Sequence, residues 1–335
     1  MKKTFDVLLL GYYGFGNLGD ELLAEASIAA LERCSINKKR IAVLTADCQK
    51  YKEKFQIVAF NRWSLREIIC ACFKSKMLIL GGGGLFQDSS SVKSCVYYFA
   101  VVLIARILGA KAAAVGQSVG PLKSAFGRFL TAKAFNLCSH ISVRDKNSAD
   151  LLESFGVKSN IVNDLVMSLK LTNVHDENPV LLFNVRGGYS SAQALAVKEC
   201  CRIADNLKVR VRGIALSDED FEELSRLHEN GRIKLESVIK IENRDDFAAA
   251  TAGAVGAVGM RLHFIVLCVI SEIPVIGCAY DPKVSGFCDL AGIDCADEKE
   301  NAAMKKAVKN FICNAQETID GDFKKILTAV YGEDR

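Results

Sequence analysis

Short apolar runs alternate with longer amphipathic stretches along the whole chain. Val7–Leu10, Ile41–Leu44, Met77–Leu80, Ala112–Val115 and Ile141–Val143 have the length and unbroken hydrophobicity of buried strands. Between them, apolar positions recur at helical spacing over Glu21–Arg33, Ser64–Phe73, Ser94–Leu108, Arg128–Leu137 and Ser148–Phe155. Strands that alternate with helices predict a parallel sheet covered on both faces.

The same pattern restarts after a polar break between Thr172 and Pro179. Val180–Val185, Val209–Ile214, Ala254–Val258 and Pro274–Cys278 read as a second set of strands. Asp218–Glu229, Asp245–Ala250 and Leu262–Ser271 read as its helices, and a last helix covers Phe323–Tyr331. The expected architecture is therefore α/β: two Rossmann-like parallel-sheet domains facing a cleft. Residues 1–172 form the first, residues 173–315 the second, and a C-terminal helix over 316–335 is free to pack back on the first. Strand C-terminal ends would open onto the cleft, where α/β proteins bind ligands.

Composition narrows the classes. Half the residues are hydrophobic and 24% are charged, as in a soluble globular protein. A net charge of +4 implies no bulk polyanion, so no nucleic-acid partner is expected. The 13 cysteines are scattered, mostly in apolar runs, with no Cys-x-x-Cys pair. They read as small buried hydrophobes in a reducing cytosol, with no support for zinc or a disulfide framework. Lys2 and Lys3 precede only the short run Val7–Leu10, which reads as a strand and not a leader. The longest apolar run, Cys95–Ala105, is far short of the roughly 20 residues of a membrane span. A cytoplasmic protein is expected, without metal or cofactor.

Glycine and cations mark the strand ends. Gly14-Phe-Gly16-Asn17-Leu-Gly19 matches the dinucleotide fingerprint, follows a strand and opens a helix. Asp20 and Glu21 come directly after it and would repel a pyrophosphate at that helix end. Asp47 stands later than the spacing of about 20 residues expected for a ribose-binding acid. The loop is read instead as a close approach for a neutral, hydroxyl-rich ligand, with Asn17, Asp20 and Glu21 as polar groups. Asp20 could equally be a simple helix cap. Gly81–Gly84 is expected to end the next strand, with Gln87 and Asp88 beyond it. Gly116–Pro121 would end another in the same way. Arg144 and Arg186 are expected at strand ends on opposite sides of the cleft. In Gly259-Met-Arg261-Leu-His263 and Tyr280-Asp-Pro-Lys283, Arg261 and Lys283 can hold an anion and His263 can move a proton near neutral pH. Singly, each has an ordinary alternative: a satisfied core histidine, or a solvated surface cation.

Taken in order, these motifs and Ser142-Val-Arg144-Asp145 resemble the polysaccharide pyruvyltransferase family, over residues 7 to 290. The resemblance is to members that build pyruvate ketals on secondary cell-wall polymers. It implies a fold similar to two-domain GT-B glycosyltransferases and transfer of pyruvyl from phosphoenolpyruvate to a sugar as a cyclic ketal. The acceptor it implies is commonly lipid-linked. The family's functional Arg, His and Lys fall on Arg144, His263 and Lys283. Phosphoenolpyruvate would be held by Arg144, Arg186, Arg261 and Lys283. The acceptor would meet Gly14, Gly16, Asn17, Asp20, Glu21, Gly83, Gln87 and Asp88. Two departures, Ser118-Val119-Gly120-Pro121 and Asp164-Leu165, leave the acceptor open.

Three other readings stand beside it: a GT-B glycosyltransferase using a nucleotide sugar, an NAD-dependent oxidoreductase, and a non-catalytic carbohydrate-binding or cell-wall assembly protein. Two basic, aromatic segments, Arg62–Lys76 and Lys123–Phe135, suggest contact with the inner membrane leaflet, where a lipid-linked acceptor would be met. The plainer reading of each is an ordinary amphipathic helix.

Overall fold

Every strand pairing in both sheets of the computed structural model is parallel, which requires a crossover between each pair of neighbours. The structure describes residues 3–89, 91–171, 178–188, 190–296, 304 and 309–331. The chain divides into two compact units. The first is Met1–Phe15, Leu23–Ser168 and Ala315–Arg335; the second is Gly16–Leu22 and Leu169–Asn314.

The first unit holds seven strands: β1 (Phe5–Leu10), β2 (Ile41–Thr45), β3 (Val58–Asn61), β4 (Ser75–Phe86), β5 (Lys111–Val119), β6 (His140–Val143) and β7 (Asn160–Ile161). Their order is β3-β2-β1-β4-β5-β6-β7. The helices are α1 (Leu18–Arg33), α2 (Cys48–Phe55), α3 (Leu65–Lys74), α4 (Lys93–Ile107), α5 (Ala125–Asn136) and α6 (Lys146–Glu153). The strand order reverses direction after β3. Right-handed crossovers therefore put α1 and α2 on one face and α3 to α6 on the other. The α3–α4 and α4–α5 contacts agree with this layout. A core from Phe5 and Leu10 through Tyr98 and Phe135 to Leu152 fills the space under the second face.

The second unit has strands β8 (Val180–Asn184), β9 (Arg210–Ala215), β10 (Ser237–Lys240), β11 (Ala254–Gly259) and β12 (Val275–Gly277), in the order β10-β9-β8-β11-β12. Its helices are α7 (Ser190–Leu207), α8 (Asp218–Glu229), α9 (Arg244–Ala250), α10 (Leu262–Ile270) and α11 (Pro282–Ala291). Leu181, Phe183, Val258 and Ile276 bind β8, β11 and β12 into one core. The last helix, α12 (Lys309–Tyr331), adds Ile319, Phe323 and Ile326 as buried side chains. Asp320 pairs with Arg33 of α1 at 2.8 Å, and Asp322 accepts hydrogen bonds from Ser142 at 2.5 Å and pairs with His140 at 2.7 Å.

Two expectations are corrected. Gly81–Gly84 does not end a strand: β4 continues through it to Phe86, paired to β5 as far as Phe86 opposite Val119. The glycines serve close packing within the protein. A Cβ on Gly81 would stand 2.4 Å from the Tyr13 hydroxyl, and one on Gly82 would stand 2.8 Å from Leu23 of α1. Gly116 likewise lies inside β5, not at its end. The pattern also gave no sign of β3, β7, β10, α2, α7 or α11, and it placed the start of α12 too late.

Candidate functional site

The C-terminal ends of β9, β8, β11 and β12 lie side by side, and polar residues gather there. Asn184 closes β8 and joins three strands. Its Nδ2 donates to the Ile214 carbonyl at 2.9 Å, its Oδ1 accepts the Arg261 amide at 3.0 Å, and its carbonyl accepts the Met260 amide at 3.2 Å. The turn from β11 into α10 is thereby fixed, and with it Arg261 and His263.

Arg261 does not point freely outward. Its Nε donates to both carboxylate oxygens of Asp220, at 2.9 and 3.1 Å, and Nη2 donates to Asp220, to the Ser217 hydroxyl at 3.2 Å and to Glu219 at 3.3 Å. Asp220 is fully buried in the first turn of α8, and it also accepts the Leu216 amide at 3.2 Å. Burial pushes its carboxyl above the ordinary value, and the Arg261 guanidinium pulls it part of the way back. The pair is a rigid strut between α8 and α10. Ser217, whose hydroxyl caps α8, completes it.

His263 is the second residue of α10 and is half-buried. Its imidazole rests on the first turn of α1. A Cβ on Gly19 would stand 2.0 Å from Nδ1, so any larger residue there must displace the imidazole. Asn17 holds that turn, accepting the Gly19 amide through its side chain at 3.2 Å and the Asp20 and Glu21 amides through its carbonyl at 3.1 Å. The side chain at the start of α1 that does the capping is thus Asn17, and Asp20 and Glu21 lie inside the first turn. The Leu18 amide donates to the Leu216 carbonyl at 3.4 Å, which groups residues 16–22 with the second unit.

Arg186 follows β8 and reaches past the end of β11 to Tyr280, which follows β12. Nη1 donates to the Tyr280 hydroxyl at 2.9 Å, and the guanidinium lies 5.2 Å from the ring centre. Lys283 sits in the first turn of α11, which Asp281 caps by accepting the Lys283 amide at 3.0 Å. Its ammonium lies 3.5 Å from the same carboxylate. One sheet edge thus carries Arg186, Arg261, His263 and Lys283.

The remaining predicted residues belong to the first unit. Arg144 follows β6 and is buried, with Nη1 2.5 Å from Asp164, whose other oxygen accepts the Val166 amide at 3.0 Å. Gly14 packs on the exit of β2, 2.5 Å from the Asp47 amide by its would-be Cβ, whereas Gly16 has open space around it. Gly83 is buried in β4, and Gln87 is exposed just past it. Asp88 turns back onto the chain and accepts the Lys123 amide at 2.5 Å, the Ser124 amide at 2.8 Å and the Ser124 hydroxyl at 2.6 Å. Burial works to raise its carboxyl, but these hydrogen bonds outweigh it and hold the group below the ordinary value. No group of three or more His, Cys, Asp or Glu side chains is arranged to hold a metal ion among the described residues.

Sequence reasoning missed Asp220 and Asp164, the carboxylates that hold Arg261 and Arg144. One signal was available: Ser217-Asp-Glu-Asp220 is a capping pattern at a helix start.

Solved structures with the same fold include the UDP-GlcNAc 2-epimerase of Methanocaldococcus jannaschii, at TM-score 0.63 and 16% identity, over 98% of this chain and 100% of that one. The UDP-GlcNAc 2-epimerase of Neisseria meningitidis matches at TM-score 0.57 and 14% identity, over 95% and 100%. A glycosyltransferase of Rickettsia africae matches at 0.58 and 9% identity, over the full length of both chains. The architecture is therefore GT-B-like, of the epimerase and glycosyltransferase kind. No curated protein sequence matches the chain significantly. The sequence model of the polysaccharide pyruvyl transferases matches residues 17–282, which take in the α1 turn, the buried arginines, His263 and the start of α11, and the chain belongs to that family.

Proposed function

We propose that this protein transfers the pyruvyl group of phosphoenolpyruvate to two hydroxyls of a sugar in a cell-surface polysaccharide precursor, forming a cyclic ketal and releasing inorganic phosphate. The observation that carries the reading is the sheet edge bearing Arg186, His263 and Lys283 around the Arg261–Asp220 strut. The donor has a phosphate and a carboxylate, and forked guanidinium groups suit both.

The bond changes balance as follows. The enol CH2 of the donor gains a proton and becomes CH3. A sugar hydroxyl adds to C2, the C2–O bond to phosphate breaks, and a second hydroxyl takes its place. Of the two hydroxyl protons lost, one replaces the proton spent on C3 and the other leaves with phosphate. His263 is the acid that protonates C3. Arg186 and Lys283 bind the donor's anionic groups, and Lys283 stabilises charge on the departing phosphate. Arg261 is half-neutralised by Asp220, so it contributes a fixed dipole and the position of His263 more than free charge. Arg144, oriented by Asp164, is the further donor-binding group in this reading. Gly14, Gly16, Asn17, Asp20, Glu21, Gly83 and Gln87 supply the acceptor side, with Asp88 shaping the segment after Gln87. The precursor is lipid-linked.

A thermal-shift comparison of phosphoenolpyruvate with UDP-sugars and NAD tests the donor, because only a true ligand stabilises by mass action. Mass spectrometry of sugar acceptors incubated with phosphoenolpyruvate tests the product. Stabilisation by a UDP-sugar alone, with no ketal formed, would overturn the reading in favour of a glycosyl-transferring or epimerising enzyme.

A further inference from the structure

The helices α3, α4 and α5 present an apolar surface that a globular protein ordinarily hides. On α3, Leu65, Ile69 and Phe73 form one exposed stripe at spacing i, i+4, i+8, while Ile68, Ala71 and Cys72 face the core. The helix therefore carries an exposed apolar stripe, between Arg66 and Lys74, in addition to the apolar face it turns to the core. Leu65 is 62% exposed, and Trp63 just ahead of it 66%. On α4, Ile107 is 73% exposed and Leu103 is also open. On α5, Phe126 and Phe129 are 54% and 55% exposed. These helices are neighbours, α3 beside α4 and α4 beside α5, and exposed apolar residues gathered on adjoining helices mark interaction surfaces.

Charge on the same helices is one-sided. Arg66 and Lys74 flank the α3 stripe, Lys93 and Arg106 lie on α4, and Lys123, Arg128 and Lys133 surround the two phenylalanines of α5. That is two, two and three exposed cations, seven in all. The single carboxylate on these three helices, Glu67, accepts the Asn61 amide at 2.8 Å. The whole chain carries only +4, so the excess is concentrated on this face.

Aromatic residues form a rim where α3 begins. Trp63 lies 6.1 Å edge-on from Phe15 and 6.1 Å from Tyr97, and Phe15 stacks on Tyr12 at 4.1 Å. Beneath them the buried Arg62 guanidinium stands 4.7 Å from Tyr97 and 5.0 Å from Phe15, and its Nη1 donates to the Gly11 carbonyl at 2.7 Å. Trp63 is thus held outward by a fixed base. Tryptophan and tyrosine at the border of an apolar patch suit the headgroup level of a bilayer.

We infer that the α3–α4–α5 face docks on an anionic lipid bilayer, with Leu65, Ile69, Phe126 and Phe129 entering the interface and the cations meeting lipid phosphates. Charge complementarity selects this occupant. A second copy brought face to face through a two-fold axis would set seven cations against seven. A free polyanion would leave the apolar stripe in water. No helix among the described residues is long and apolar enough to cross a membrane, so the contact is interfacial. The inference does not depend on the donor or the chemistry proposed above.

Vesicle flotation tests it with the full-length protein. Binding is expected to phosphatidylglycerol-containing vesicles and not to pure phosphatidylcholine, and it should fade as salt rises toward 0.5 M (on the order of a 4 Å screening length). Neutralising Arg66, Lys74, Lys93 and Lys133 together should lower the partition coefficient on the order of several hundred-fold, about fivefold for each charge. A Phe126→Ser, Phe129→Ser variant should lose binding while its melting temperature stays within a few degrees, because both rings are exposed. Failure of the wild type to float with anionic vesicles at low salt overturns the inference. So does binding that neither variant weakens, or a dimer in sedimentation velocity that the phenylalanine variant abolishes while vesicle binding persists.

Discussion

Gly19 and His263 meet with no room between them: a Cβ at position 19 would stand 2.0 Å from the imidazole Nδ1. Replacing a helical glycine by alanine ordinarily stabilises by about 0.5–1 kcal/mol. Forcing an extra carbon into a packed contact costs about 1–3 kcal/mol. The contact should win, so Gly19→Ala is expected to lower the melting temperature and to cut turnover by moving the imidazole. Calorimetry and steady-state kinetics check both. A Gly19→Ala protein that melts higher and turns over normally would show that the histidine can move away without consequence.

His263→Ala removes the proposed proton donor and leaves Arg186 and Lys283 in place. Turnover should fall by about 10²–10⁴-fold, with phosphoenolpyruvate affinity little changed. A variant that loses donor binding instead would make His263 a phosphate ligand.

Arg261→Ala strands a fully buried carboxylate. Breaking such a pair by removing one partner costs about 3–5 kcal/mol. The pH dependence has a definite sign. Asp220 already lies above its ordinary value because burial outweighs the guanidinium, so its contribution is present at low pH and is lost as pH rises through its folded-state value. Without Arg261 the carboxyl moves further up, and the variant should recover stability on acidification through the range just above the ordinary carboxylate pKa. Melting temperatures from pH 7 down to about 5 would reveal this. A variant whose deficit is constant over that range would contradict the ionic account.

Asp88 carries the opposite sign. Held below its ordinary value by the 123–124 segment, it stabilises the fold above the unfolded carboxylate range and loses that contribution as pH falls through its own lower value. Asp88→Asn keeps one acceptor oxygen and should cost about 1–2 kcal/mol at neutral pH, with the deficit shrinking in acid. Denaturant titrations at two pH values measure the difference.

Much of this fold was written in local pattern. Val7–Leu10 and Val180–Val185 are unbroken apolar runs because β1 and β8 are interior strands, buried on both faces. Helix α8 could be read to the residue because Ser217 caps it and three acidic residues fill its first turn. The strands that escaped notice, β3, β7 and β10, are sheet edges with mixed or full exposure, and there the apolar signal thins out. The cations and the histidine at the strand ends of the second unit were legible one by one, but the network that holds them was not. Arg261 and Asp220 lie 41 positions apart, and nothing local announces that a motif arginine will be claimed by a buried carboxylate. The glycine run of β4 was misread for a related reason: closeness to a ligand and closeness to Tyr13 or Leu23 demand the same missing side chain.

The return of α12 to the first unit makes that unit discontinuous along the gene, with Leu169–Asn314 of the second unit as an insertion ahead of its last segment. An excised fragment ending near residue 168 would lack Ile319, Phe323 and Ile326, and would leave His140 and Ser142 facing the space of a missing Asp322. Ribosomal synthesis meets the same constraint, since the first unit cannot be completed until the chain's final helix has emerged. The second unit, from Leu169 to Asn314, draws only the α1 turn from outside that span. It is the part that can be completed first, before the unit whose synthesis begins ahead of it.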